Sequence, residues 1–281
     1  MNSIEPISAT VPYMSCPGNH ERHSNFSHYD ARFSMLGDRQ NPDSSKPLID
    51  RLNNHFYSLD IGPAHIIIFS SEYYYYFVEF GFYHMEKQYK WLEEDLKKAN
   101  NNREKVPWII AMAHRPMYCF KRSDSSCDLK SMERKELRRG ISKSDGNLLW
   151  GLENLFFKYG VDLQFYGHEH YYTRTLPVYD HVVMDYKEKN TNKNGTHFTD
   201  PKGPIHVITG SAGNKEHHPE FNPLVNSVDW VGYHQPDYGY TKVIFKDRFK
   251  VVVEQTSDDR DGKITDDFEI SKTHHTPAWM I

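Results

Sequence analysis

Apolar residues along this chain fall into two rhythms, one continuous and one helical. Val106 to Ala113 is an unbroken apolar run, as expected of a strand buried on both faces. Val161 to Tyr166, ending at Gly167, reads as a second strand. His55 to Asp60 and Ala64 to Ser70 are β-rich runs separated by Ile61-Gly62-Pro63, which predicts a hairpin. Glu86 to Asn100 carries Tyr89, Leu92 and Leu96 at helical spacing, with Trp91 and Ala99 close by, and predicts a helix stopped by asparagines. Asn147 to Tyr159, closed by Gly160, predicts another amphipathic helix. Val11 to Ser15 reads as a short strand entering the Pro17-Gly18 turn, and Glu21 to Lys46 as a long surface loop. Two strand–helix–strand passes in succession indicate an α/β layered domain.

Beyond about residue 176 the rhythm changes. Ile205 to Thr209, Tyr240 to Phe245 and Phe249 to Gln255 read as strands with little helix between them, and Asp180 to Lys202 is a polar insertion. The division expected is residues 1–175, then 176–270 as a further region of the same domain, then a tail at 271–281.

Composition changes this picture little. A chain of 281 residues with 38% hydrophobic and 26% charged residues can bury a substantial core. A net charge of −4 disfavours nucleic acid as a partner. No stretch reaches the roughly 18–20 apolar residues of a membrane span, and Met1 to Thr10 lacks the basic and apolar regions of a signal peptide. Cys119 and Cys127 flank a polar loop that could close as a disulfide, and glycosylation sequons begin at Asn25 and Asn194.

The chemistry concentrates in three turns, each following a strand-like run: Gly18-Asn19-His20-Glu21, Ala113-His114-Arg115-Pro116 and Gly167-His168-Glu169-His170. Imidazoles at i and i+2 can ligate one metal or two adjacent ones where the backbone turns sharply, and Gly167 permits such a turn. An isolated His-x-His is more often an exposed surface pair. The apolar strand before it, the glycine hinge and the matching His114 at another strand end favour a metal site. Asn19 offers an amide oxygen, while His20 faces substrate as a donor or acid. Arg115 reads as a salt-bridge partner at a turn, Tyr73 to Tyr76 as a loop or edge strand, and Asp258 to Gly262 as a β-turn. His217-His218 and His274-His275 read as solvent-exposed.

In this order the motifs resemble those of the calcineurin-like metallophosphoesterases, and within them the long iron/zinc branch of the purple acid phosphatases. Ala-His-Arg-Pro-Met-Tyr-Cys, Tyr-Gly-His-Glu-His-Tyr-Tyr-Thr-Arg-Thr and Gly-Ser-Ala-Gly-Asn add to the likeness, which runs from about residue 10 to residue 270. The resemblance implies an α/β (α+β) fold: a four-layer β-sandwich flanked by helices, here lacking its first strands. It also implies a dinuclear centre of Fe(III) and a divalent iron, zinc or manganese. Asn19, His114 and His168 would ligate the divalent ion and His170 the ferric ion, with His20 at the phosphate. A hydroxide held between the metals would hydrolyse phosphomonoesters, small molecules or phosphoproteins, at acidic pH in a secreted or lysosomal setting.

Two departures qualify that expectation. The family's Asp-x-Gly and Gly-Asp-x-x-Tyr motifs precede Gly-Asn-His, and eighteen residues precede Asn19 here. Asp60-Ile61-Gly62 and Gly37-Asp38 lie downstream of Asn19 and read as hairpin and loop. No histidine falls between His114 and His168 to serve as the second substrate-facing imidazole of many members. The chain by itself is therefore expected to bind at most one metal. Alternatives are a catalytically incompetent fragment or isoform, and a phosphodiesterase or nucleotidase on the same scaffold.

Overall fold

The computed structural model describes residues 3–33, 35, 54–119, 132–142, 146–184, 196–215, 221, 225 and 228–281. Its strands are β1 (Tyr57–Ile61), β2 (Ala64–Ile68), β3 (Trp108–Ala113), β4 (Gly140–Ser142), β5 (Leu148–Trp150), β6 (Leu163–Tyr166) and β7 (Tyr172–Thr175). There follow β8 (Val178–Tyr179), β9 (Val182–Val183), β10 (His197–Thr199), β11 (Ile205–Thr209) and β12 (Val231–Gln235). The last three are β13 (Gly239–Phe245), β14 (Lys250–Ser257) and β15 (Lys263–Ser271).

Seven strands form one mixed sheet in the order β1-β2-β3-β6-β11-β7-β12. From β2 to β11 neighbouring strands run parallel, and β1, β7 and β12 are antiparallel to their neighbours. A second sheet, β10-β15-β14-β13, packs against it. Alternation along β3 sends Ile109, Ala111 and Ala113 into a core shared with helices, and Trp108 and Ile110 into a core between the two sheets. The inter-sheet core receives Leu163, Phe165, Ile205 and Val207 from one side and Val251, Val253, Phe268 and Ile270 from the other. Helix, large sheet and small sheet make three layers among the described residues: the mixed α/β sandwich expected, with three of the four layers that the resemblance implies.

The hairpin forms as expected, with Gly62 at φ +55° in its turn. The long helix spans Tyr83–Asn101 and buries Met85, Gln88, Leu92, Leu96 and Ala99 along one face. Four expectations are corrected. Val11 to Ser15 pairs with no strand among the described residues; the hydroxyls of Tyr29 and Tyr57 hold it by donating to the Ser15 carbonyl at 3.0 and 2.8 Å. The Glu21 to Lys46 loop contains a short helix, Ser27–Arg32, that buries Tyr29 and Asp30, and residues 36–53 lie outside the described residues.

Tyr73 to Tyr75 is helical, not extended, and Tyr76 caps the turn. Glu72–Tyr75 is one helical turn that buries three consecutive tyrosines, which a strand would divide between two faces. The helix expected from Asn147 starts at Leu152. Leu148–Trp150 instead pairs with Gly140–Ser142, and Gly151 passes so close to Arg139 that a Cβ there would lie 2.4 Å from its carbonyl carbon. The turn at Asp258 is a short 3-10 turn closed by Asp261 and Gly262 at positive φ.

The residues after β15 are docked. Lys272 Nζ lies 2.6 Å from Asp162, which also meets Arg103 at 3.4 Å, and all three side chains are buried. Trp279 Nε1 donates to the Phe157 carbonyl at 3.0 Å. His274 is exposed and His275 packs on Phe249, while His217 and His218 lie outside the described residues.

Candidate metal centre

Parallel strands end on one side of a sheet, and groups on the turns just after them converge there. β3 ends at Ala113 opposite Tyr166 of β6, so His114 and Gly167 face each other as the next pair. Gly167 N–H donates to the His114 carbonyl at 2.9 Å. His168 then takes φ +66°, turning its ring back towards β3. Asn19 arrives from the Pro17-Gly18 turn, where Gly18 N–H donates to Glu21 at 2.8 Å. A Cβ on Gly18 would lie 3.0 Å from the His114 ring, so glycine allows that approach.

Three donor atoms meet as a result. Asn19 Oδ1 lies 2.8 Å from His114 Nε2, and His168 Nδ1 lies 3.1 Å from the same nitrogen. Ligands 2.0–2.2 Å from a tetrahedral cation stand roughly 3.3–3.6 Å apart, so these donors, slightly closer than that, need open by only about half an ångström to share one cation. The protonation state fits too. Burial, aided by Arg115, His20 and His170, pushes His114 down to about 3, which leaves a neutral imidazole with a lone pair to give.

His170 is half-buried and His20 exposed, and both are near enough to act on His114. Among the described residues no three His, Cys, Asp or Glu side chains form a metal-holding group. The cluster reaches three donors only through the Asn19 carboxamide. Asp60, excluded as a ligand by its position in the chain, pairs with His65 in the hairpin, and Gly37-Asp38 lies outside the described residues.

Behind the donors stands a polar layer that the sequence reading found only in part. Arg115 is a salt-bridge partner, as expected, and its partner is Glu72 just beyond the end of β2. Its Nε donates to both Glu72 oxygens at 3.1 Å, Nη2 to the Tyr76 hydroxyl at 2.9 Å, and its backbone N–H to Ser71 Oγ at 2.7 Å. The guanidinium lies over Tyr75, 4.3 Å from the ring centre, and Nη1 reaches His168 Nε2 at 3.2 Å. Burial raises Glu72 to about 7 even though Arg115 holds it down. Ser70-Ser71-Glu72 directly after an apolar strand was the available signal for this layer.

Comparison with known proteins places the chain. A family model described as calcineurin-like phosphoesterase matches residues 1–172, and one described as iron/zinc purple acid phosphatase-like protein C matches residues 203–267. The chain is 45% identical over 268 residues to acid phosphatase type 7 of Mus musculus, covering 95% of this chain and 54% of that protein. The Danio rerio protein of the same name is 43% identical, with 99% of this chain and 58% of the relative covered. The chain thus spans about half the length of the curated relatives it matches. A purple acid phosphatase from yellow lupin (Lupinus luteus) seeds superposes with a TM-score of 0.70 at 27% identity, over 96% of this chain and 42% of that one. The strand-end donor cluster, the sandwich and these matches agree, and the chain belongs to the calcineurin-like phosphoesterases, in their purple acid phosphatase branch.

Proposed function

We propose that this chain carries the divalent-metal half of a phosphomonoesterase centre, in a protein that acts as an acid phosphatase. The observation that carries this reading is the convergence of Asn19 Oδ1, at 2.8 Å, and His168 Nδ1, at 3.1 Å, on His114 Nε2. These three would hold zinc, manganese or ferrous iron, and His170 would belong to a neighbouring ferric position in a dinuclear site. When bound, such cations supply Lewis-acid stabilisation of charge on a transferring phosphoryl group and activate water.

The chain's own residues have separate tasks. Gly18 allows the close approach to His114, and the positive φ of the second turn falls on His168 and not on Gly167. His20, exposed beside Asn19, would give its proton to the departing alcohol. The disulfide at Cys119 supports an oxidising, secretory compartment, as do the sequon at exposed Asn25 and that at Asn194, which like Cys127 lies outside the described residues. The substrate class is a phosphomonoester on a small molecule or a phosphoprotein.

A non-catalytic role is the second reading, favoured by the absence, among the described residues, of any group of three His, Cys, Asp or Glu side chains that could hold a metal. Zinc titration with a p-nitrophenyl phosphate assay on this chain separates the two. One zinc per chain with negligible turnover is expected of this chain; the absence of zinc binding overturns the metal reading. Two metals with a purple colour and rapid turnover would show that the chain is a complete phosphatase.

A further inference from the structure

An exposed aromatic patch stands at the same end of the large sheet as the donor cluster. β2 runs parallel to β3 and β6, so the segment that follows it leaves the sheet where His114 and His168 do. That segment makes the helical turns Glu72–Tyr75 and Phe77–Phe80. Gly81, at φ +71°, then turns the chain, and the Phe82 ring stacks on Phe77 with centres 5.5 Å apart. Phe82 also lies 6.1 Å from the ring of Trp150, whose strand presents Leu148 on the same face. Val78, Phe82, Tyr83 and Leu148 are 46% to 88% exposed. Scattered exposed hydrophobics are ordinary, but a contiguous patch marks an interaction surface.

Two contacts through Tyr76, the residue before Phe77, join this patch to the candidate centre. Its hydroxyl accepts from Arg115 Nη2 at 2.9 Å, while Arg115 Nη1 reaches His168 Nε2 at 3.2 Å. Arg22, on the chain just past Asn19, lies over the Tyr76 ring at 4.6 Å from its centre and meets Glu79 at 3.6 Å. A ligand whose phosphate sits at the donors meets the patch next. The ring spacing indicates what such a ligand is. Alternate side chains of an extended peptide stand about 6.8 Å apart, close to the 5.5 and 6.1 Å that separate Phe77 from Phe82 and Phe82 from Trp150. An anionic lipid surface calls for free basic groups, and the cations here are engaged: Arg22 with Glu79, Lys90 with Glu86 at 2.6 Å, and Lys87 over the Tyr83 ring at 5.9 Å. We propose that the Phe77, Phe82 and Trp150 surface docks apolar side chains of a peptide, the stretch beside the phosphorylated residue of a phosphoprotein. The phosphoprotein half of this statement rests on the phosphatase reading above; the peptide half does not.

The test reads the anisotropy of fluorescein-labelled peptides on the full chain, with and without Zn2+. One peptide carries a phosphoserine with phenylalanines at alternate positions on both sides. Its counterparts have alanine for phenylalanine, or serine for phosphoserine. The phenylalanine peptide should bind about tenfold more tightly than the alanine peptide, the order for one aromatic side chain packed against another. Phe82→Ala and Val78→Asp change exposed positions and should each erase that preference with the melting temperature unchanged. Zn2+ should add affinity for the phosphoserine peptide alone. An absent preference, or one that both variants leave intact, overturns the proposal. Self-association, or binding to phosphatidylserine vesicles, that the same variants abolish without any peptide preference gives the surface to another occupant and overturns it as well. Serine and phosphoserine peptides bound equally in Zn2+ would remove the phosphoprotein half together with the metal reading, and leave the peptide surface standing.

Discussion

Asn19 contributes an oxygen where the rest of the donor set is imidazole, and it stands on a turn that no strand supports. Its hold on a cation can therefore be removed without touching the core. Asn19→Ala should weaken Zn2+ binding by at least the 10- to 100-fold typical of losing even an outer-shell partner, with the melting temperature unchanged within a degree or two. A chelator titration beside a thermal melt checks both, and equal affinity would remove Asn19 from the site. These donors were legible in the sequence because glycine and proline mark the turns and an apolar strand runs into two of them. The Arg115–Glu72 pair was only half legible. The two residues lie 43 positions apart, and no local pattern says which acid meets a given arginine.

Elements declared themselves when one face alone was buried. The Tyr83–Asn101 helix buries positions spaced three and four apart, so its period survives in the sequence. The Tyr73 to Tyr75 run has no period, all three tyrosines being buried, and β-propensity misdirects it. Between the hairpin and this helix, His65 bridges Asp60 at 2.7 Å and Asp95 at 2.9 Å. Desolvation lowers the His65 pKa, but the two aspartates outweigh it and the net shift is upward. A raised folded pKa gives stability that is fully present below the ordinary histidine value of about 6.5 and is lost as pH rises through the folded value. His65→Gln should therefore lower the melting temperature more at about pH 6 than at about pH 9; an equal loss at both would refute the ion-pair account. The docked segment after β15 carries a larger share. Lys272→Met leaves buried Asp162 with Arg103 alone and should destabilise by about 3 kcal/mol in a denaturant titration, the scale for breaking a buried pair.

Across the whole molecule, two buried layers meet at the large sheet, and acid tests them unequally. His206 on β11 is buried, faces Tyr118 and stacks along Tyr166, and burial with help from Arg138 pushes its pKa down to about 3. A depressed histidine gives stability present above about pH 6.5 and lost as pH falls towards the folded value. His206→Phe should recover about 2 kcal/mol near pH 5 relative to its effect at neutral pH, at 1.36 kcal/mol per unit. Parallel stability curves for the two proteins would contradict this. The same strand sets an order of events. β11 lies between β6 and β7, although it follows both in the chain. The turn bearing His168 and His170 must therefore span two strand spacings, roughly 9.6 Å, across the end of a strand made later. Gly210, just past β11, fits beneath that turn so closely that a Cβ would come 2.2 Å from the Glu169 carbonyl oxygen. A growing polypeptide that has emerged only as far as His170 holds every donor in covalent sequence but lacks the strand over which their turn is shaped. Any cation these donors hold would then be captured only once residue 210 is in place, joining a nearly finished sheet.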